Sequence, residues 1–389
     1  MHHTTRLLRD LVALPSINPM GRPLVGPHVF EHQVTDYLDR FFRDLGVRHE
    51  RQPVAPLREN VVAYHEPPGA RWTLVLEVHQ DTVPVDGMTI DPFAATVDNG
   101  RLYGRGACDV KGGMAAMLAA FARLVRENPA GSARVVLACA VDEEHTFLGV
   151  QKLVEGGVDA LRGGIAGPIG AVVAEPTRLN IIKAHKGAVR WHLRTAGRSC
   201  HSSRPELGVN AIYHMATLLP LVERYAEELR GRPPHPLLGP ATLSVGRIDG
   251  GTSVNTVPDR CQVEVDRRLL PGEDATAAPG DLHAYLQAHA PAHVQFATSA
   301  PWLSCPALSA EGAEWLVGKL GAAIDDVRGR HLVEVVPYGT DASTLAGAGV
   351  PSVVFGPGNI DQAHTCDEWI DLAEVEVASE VLFRLATRD

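Results

Sequence analysis

Six side chains suited to binding cations or moving protons stand far apart in this chain: His79, Asp109, Glu143, Glu144, Glu175 and His364. The segments that carry them read TLVLEVHQDTVP, GRGACDVKGG, VVLACAVDEE, AVVAEPT and GPGNIDQAH. Each residue closes a short apolar run or sits in a turn, so each is expected at one edge of a sheet. A pair of divalent metals needs several anionic oxygens to hold its charges together, with imidazoles completing each shell. Two histidines and four carboxylates are enough for such a pair and leave one carboxylate over as a base. The chemistry this predicts is metal-assisted hydrolysis.

Local spacing assigns the parts. In His79-Gln80-Asp81 the outer residues point the same way at the end of a strand. His79 is then a ligand, and Asp81 is expected to accept the imidazole's other N–H, which fixes the tautomer. The Asp109 carboxylate has two oxygens and can give one to each metal. Gly104, Gly106, Gly112 and Gly113 let its turn fold tightly before a helix, but the turn matches no phosphate-binding pattern. Adjacent carboxylates at Glu143 and Glu144 repel unless a cation or proton lies between them. Glu144 is assigned as ligand and Glu143 as base, with Asp142 competing for either job. Glu175 precedes Pro176, which pins the turn, and His364 follows a Gly/Pro-rich loop. Cys108 and Cys366 lie close by as weaker ligand candidates.

The elements that must position these residues follow from periodicity. Buried-strand runs over 73–78, 134–141 and 171–174 alternate with helical patterns over 5–14, 28–45 and 111–126. That alternation predicts an α/β sheet covered on both faces. After residue 182 the pattern changes. Residues 189–195 alternate as VRWHLRT, a strand with one wet face, and 210–229 form a long helix followed by a proline-rich loop. Strands over 242–248, 261–269 and 293–298 and a helix over 281–288 complete a small α+β domain of about four half-exposed strands. The α/β pattern returns with strands at 333–336 and 352–355. The predicted division is a catalytic domain over 1–183 and 303–389, interrupted by an insertion over 184–302.

Bulk properties narrow the class. A chain of 389 residues exceeds what one core usually supports. Thirty-six Lys and Arg against 46 Asp and Glu give a net charge of -10, which argues against a nucleic-acid partner. Six cysteines are scattered without a CxxC pair, as expected of a reduced cytoplasmic protein. The N-terminus has no long apolar run, so neither a signal peptide nor a membrane span is expected.

Taken in order, these motifs resemble the M20 metallopeptidase family: HxD at His79 and Asp81, GRGxxDxKGG through Asp109, DEE through Glu144, EPT through Glu175 and the late AH at His364. The resemblance covers essentially the whole chain. It implies His79 and Glu175 on one zinc, Glu144 and His364 on the other, Asp109 bridging, and Glu143 as base. Cobalt or manganese suits the same oxygen-rich shell. It also implies that the insertion is a dimerisation or lid domain that makes the protein a homodimer. GRSCHSSRPELGVNAI then places His201 as the oxyanion donor, and GGTSVNTVP and VDRRLLPG place Asn255 and Arg268 near the substrate carboxylate. YGTDAS places Gly339 and Thr340 in a late substrate loop. Within the family, GPGNIDQAHTCDEW and AHKG are most similar to the acetylornithine deacetylase and succinyl-diaminopimelate desuccinylase group. The implied reaction is deacetylation of N-acetylornithine. Acylated amino acids in general, succinyl-diaminopimelate or dipeptides are the alternatives, and a non-catalytic carboxylate-binding scaffold is the alternative of another class.

Overall fold

The computed structural model describes residues 2–388. Its strands, in chain order, begin with β1 (Arg48–Ala55), β2 (Arg58–His65), β3 (Thr73–His79), β4 (Thr96–Asp98), β5 (Arg101–Tyr103), β6 (Arg134–Ala140), β7 (Ile169–Val173) and β8 (Ile181–His185). They continue with β9 (Gly187–Ala196), β10 (Thr242–Gly250), β11 (Arg260–Leu269), β12 (Phe296–Thr298), β13 (Leu303–Cys305), β14 (Val333–Val336), β15 (Ser352–Val354) and β16 (Trp369–Asp371).

The chain folds into two units. The first comprises residues 1–184, 309–334 and 340–389 and is built on an eight-stranded sheet in the order β1-β2-β6-β3-β7-β15-β8-β14. Its centre, β6-β3-β7-β15, is parallel, while the pairs β1-β2, β2-β6 and β15-β8 are antiparallel. Every residue of β3, β6 and β7 is buried, because helices cover both faces of such a centre. That is why these strands read as unbroken apolar runs rather than as alternation. The register sets His79 beside Ala140, and Glu77 beside Val173. The carboxyl ends of β3, β6 and β7 therefore lie along one edge, where open α/β sheets hold their ligands. The helix Gly112–Glu127 is buried over most of its length, and Phe42, Phe121, Leu76 and Leu137 belong to one core around it. A small sheet, β16-β5-β4, pairs Trp369 with Tyr103 and so ties the late chain to the turn before Asp109.

The second unit comprises residues 185–308 and 335–339. Strands β10-β11-β9-β12 form its sheet, with β13 also paired to β9. β11 alternates buried and half-exposed residues along its length, the signature of one packed and one wet face. The packed face carries Trp191, Leu193, Val263 and Val265 into one cluster with Met215, Leu218 and Leu282 of the helices Ala211–Arg230 and Ala278–His289. Asn210 caps the longer helix, its side chain accepting from the N–H groups of Ile212 and Tyr213. The sequence reading ended the insertion at 302 with about four strands. Leu303, Ser304 and Cys305 instead pair with Arg190, Val189 and Ala188, a fifth strand that carries the inserted unit on to Leu308. A three-residue strand has too little pattern to be read before its partner is known. Among the described residues no helix is long and apolar enough to cross a membrane.

Candidate functional site

The first unit brings all six leading candidates to the carboxyl edge of its parallel strands. His79 is the last residue of β3, the Asp142–Glu144 turn follows β6, and Glu175 lies two residues beyond β7. Asp109 comes from the glycine turn before the helix Gly112–Glu127, and His364 from the loop before β16. Asp109 is the centre of the group. Its Oδ1 lies 3.1 Å from His79 Nε2, and its Oδ2 lies 3.3 Å from His364 Nε2. Glu144 Oε1 is 3.2 Å from His364 Nε2, and Glu175 Oε1 is 3.9 Å from His79 Nε2. One carboxylate thus faces two imidazoles with separate oxygens, each imidazole having a further carboxylate beside it. His79 is 2% exposed and His364 is 50% exposed, so the two halves differ in access to solvent.

The electrostatics fit a pair of divalent cations. Burial pushes Glu175 well above its ordinary range, and the charges of Asp109 and Glu143 push it further. Burial likewise raises Glu143 and Glu144. Burial alone would lower His79 and His364, yet hydrogen bonds to Asp109 hold both above the usual imidazole value. Buried carboxylates in mutual repulsion around two imidazole nitrogens form a donor set that a dication satisfies and an apolar core does not. Among the described residues, two groups of donor atoms lie close enough to hold a metal, His79 with Asp109 and Glu144, and His79 with Glu143 and Glu175.

Asp81 does not sit as expected. His79 Nδ1 is 2.9 Å from the backbone carbonyl of Asp81, while the carboxylate stands 3.7 Å away. The tautomer is fixed by the main chain, and Nε2 still faces the metal position. The Asp81 carboxylate instead accepts the N–H groups of Glu143 and Glu144, each at 3.2 Å, and so holds the acidic turn. Asn18 donates from one amide nitrogen to Asp81 and to Asp142, both at 2.8 Å. Arg58 donates to Asp142 at 2.6 Å and to Glu31. Asp142 is therefore engaged away from the metal position and competes for neither role. Asn18, Arg58 and Glu31 were not singled out in the sequence. Their only signal is a buried polar residue with partners distant in the chain.

Cys108 is buried, donates to the Asn359 carbonyl at 3.3 Å, and is pushed well above the ordinary thiol range by burial and the Glu368 charge. It is a neutral thiol packed beside the site. Cys366 is exposed, 3.9 Å from Asp367.

The remaining candidates fall mostly in the second unit. His201 and Asn255 share one local pair of loops, with Ser202 donating to the Asn255 carbonyl at 3.0 Å. Ser203 N–H donates to His201 Nδ1 at 3.1 Å, which leaves the proton of the neutral ring on Nε2. Arg268 lies on β11 and donates from Nε to Asp266 at 2.8 Å. Gly339 packs against Cys305, where an added Cβ would come within 3.0 Å of the sulfur. Thr340 belongs to the first unit, is fully buried, and caps the Ala342 N–H at 3.3 Å.

Comparison with known proteins agrees with this geometry. The model of peptidase family M20/M25/M40 matches residues 75–388. The chain is 32% identical over 386 residues to an acetylornithine deacetylase of Erwinia tasmaniensis, spanning 97% of this chain and 95% of that protein. It is 31% identical over 389 residues to an acetylornithine deacetylase of Proteus mirabilis, with the same 97% and 95% coverage. Among solved structures, an M20 family metallo-carboxypeptidase from Sulfolobus solfataricus matches with a TM-score of 0.77 over 100% of this chain and 99% of its own, at 21% identity. That likeness establishes the fold.

Proposed function

The chain belongs to peptidase family M20/M25/M40 and is a metal-dependent amidohydrolase, and from that premise we propose that it removes the acetyl group of N-acetylornithine, yielding ornithine and acetate. The observation that carries the substrate is the likeness, from end to end, to two acetylornithine deacetylases. In this reading His79 and Glu175 would hold one metal and His364 and Glu144 the other, with Asp109 offering an oxygen to each. Zinc suits these donors, as do cobalt and manganese. A metal pair held there would supply Lewis acidity towards water and the amide carbonyl.

The protein's own groups do the rest. Glu143 accepts a proton from the attacking water, whose oxygen forms the new bond to the amide carbon. The carbonyl π electrons move onto oxygen, and His201 donates its Nε2–H to that developing negative charge. Glu143 then delivers its proton to the amide nitrogen as the oxyanion's electron pair re-forms the C=O bond and the C–N bond breaks. The second water proton passes from the new carboxylic acid to the amine, so acetate and an ammonium group leave and Glu143 returns to its starting state. Arg268 and Asn255 bind the substrate carboxylate, a task matched to a planar guanidinium. Gly339 and Thr340 shape the late substrate loop. A panel of N-acetylornithine, other N-acetyl amino acids, N-succinyl-diaminopimelate and dipeptides, assayed with zinc-loaded protein, tests the substrate. The expected result is a kcat/KM for N-acetylornithine at least about tenfold above every other member. A preference for the succinyl compound or a dipeptide overturns it.

Pairing of two copies through the inserted unit belongs to the same proposal. β10 is an edge strand of that unit, and Tyr213 and Val254 are 72% and 100% exposed in it. An open edge beside exposed apolar side chains favours association. Sedimentation equilibrium is expected to return twice the chain mass of 41.8 kDa, and Val254→Asp to shift the population towards monomer. A monomeric parent protein contradicts this.

A further inference from the structure

Four residues beyond His364, the chain carries a carboxylate that touches no substrate or metal position. Glu368 is completely buried. Its Oε1 accepts the N–H groups of Cys108 at 2.9 Å and Asp109 at 3.0 Å. Its Oε2 accepts the N–H of Gly106 at 3.0 Å and Arg105 Nη1 at 2.7 Å. All four donors come from the five residues that end at Asp109. The main chain adds a fifth bond, from Gly104 N–H to the Glu368 carbonyl at 3.0 Å.

A buried carboxylate beside another carboxylate is an expensive choice. Asp109 and Glu368 repel, and burial disfavours the charge of both. Arg105, itself 2% exposed, and three backbone N–H groups offset that cost. An apolar residue would avoid this repulsion but leave four buried donors unpaired, so the carboxylate serves to hold the turn that ends at Asp109. The Asp109 N–H is fixed by Glu368 while the Asp109 side chain faces His79 and His364. The segment between His364 and Glu368 is pinned as well, because Thr89 N–H donates to the Cys366 carbonyl at 2.8 Å. β16 begins at the next residue and pairs with β5, so the whole segment is anchored to the turn that delivers Asp109.

We propose that Glu368 is a positioning residue that sets the distance between Asp109 and His364, locking the bridging carboxylate and the late histidine into one rigid frame for the metal pair. The proposal rests on the di-metal reading of the site. Glu368 contributes no ligand; it holds the backbone of one ligand from the segment that carries the other.

The test is zinc binding by folded Glu368→Gln, titrated against a chromogenic chelator beside the unaltered protein. Glutamine keeps the volume but turns an NH2 towards groups that are already donors. Groups that orient metal ligands are worth about 10- to 100-fold in metal affinity. The expected result is a loss of that size for both zinc ions, with kcat at saturating zinc about tenfold lower and KM within about threefold of the unaltered protein. A residue needed only for folding would lower thermal stability and leave the zinc affinity of the folded fraction alone. Wild-type affinity in folded Glu368→Gln overturns the proposal while leaving the di-metal reading intact. If the unaltered protein itself binds no zinc, both fall. Should Glu368→Gln not fold, Arg105→Lys decides. It keeps the three backbone bonds, removes the planar donor, and is expected to weaken zinc about three- to tenfold. Unchanged affinity in Arg105→Lys overturns the proposal.

Discussion

Glu143→Gln is expected to retain its metals and lose turnover, with kcat falling by about 10² to 10⁴, the range a well-placed general base contributes. Glutamine matches glutamate in size, and Glu143 is held through its backbone N–H by Asp81, so the turn keeps its shape. What is lost is the ability to take a proton from water and return it to the leaving amine. Burial pushes the Glu143 carboxyl well above its usual range, opposed by the neighbouring His79 and helped by Asp341 and Glu144. A raised carboxyl suits a group that must hold a proton between two transfers at neutral pH. The rival role is written in the same geometry, since Glu143 also lies within ligand distance of His79 and Glu175. Metal content separates the two. Two metals per chain with turnover gone assigns the base, whereas loss of one metal makes Glu143 a ligand and moves the base elsewhere.

How much of this was legible in the sequence depends on the range of the interaction. β3, β6 and β7 announce themselves as apolar runs because both of their faces are covered, and their ends mark His79, Glu143, Glu144 and Glu175. Parallel pairing then brings those ends to one edge without any information on loops. The orientation of Asp81 was not legible. An i, i+2 spacing says that two side chains share a face, but the nearer acceptor for His79 is the Asp81 carbonyl, a main-chain group that no spacing rule distinguishes. Asn18, Arg58 and Glu368 were missed for a related reason. Each is an ordinary polar residue in sequence, and it becomes conspicuous only when found buried with side-chain partners far along the chain, 63 positions away for Asn18, 27 for Arg58 and 263 for Glu368. His201, Asn255 and Arg268 carried no signal of their own and were identified by resemblance alone. The end of the insertion slipped by several residues because β13 acquires its identity from β9 rather than from its own three residues.

Asp109→Asn is expected to be the most damaging single change to metal binding, because one side chain serves both halves of the site. The Asp109 oxygens face His79 at 3.1 Å and His364 at 3.3 Å. Asparagine keeps one oxygen and replaces the other with an NH2 that can only donate. It also removes a negative charge that the two imidazole hydrogen bonds keep below the ordinary carboxylate range despite burial. Whichever way the amide turns, one metal position faces a donor and the other meets a neutral oxygen. Zinc affinity is expected to fall for both ions by more than about 100-fold, beyond what groups behind the ligands contribute. Stability gives an independent readout. A ligand present at 1,000 times its Kd stabilises the folded state by about 4.1 kcal/mol, so zinc should raise the melting temperature of the unaltered protein and leave Asp109→Asn nearly unmoved. After stripping with a chelator, added zinc should restore turnover to the unaltered protein only. If Asp109→Asn loses just one zinc, Asp109 is a ligand to a single metal and the paired arrangement is wrong. If it keeps both at wild-type affinity, the carboxylate that faces both imidazoles is not what holds the cations together.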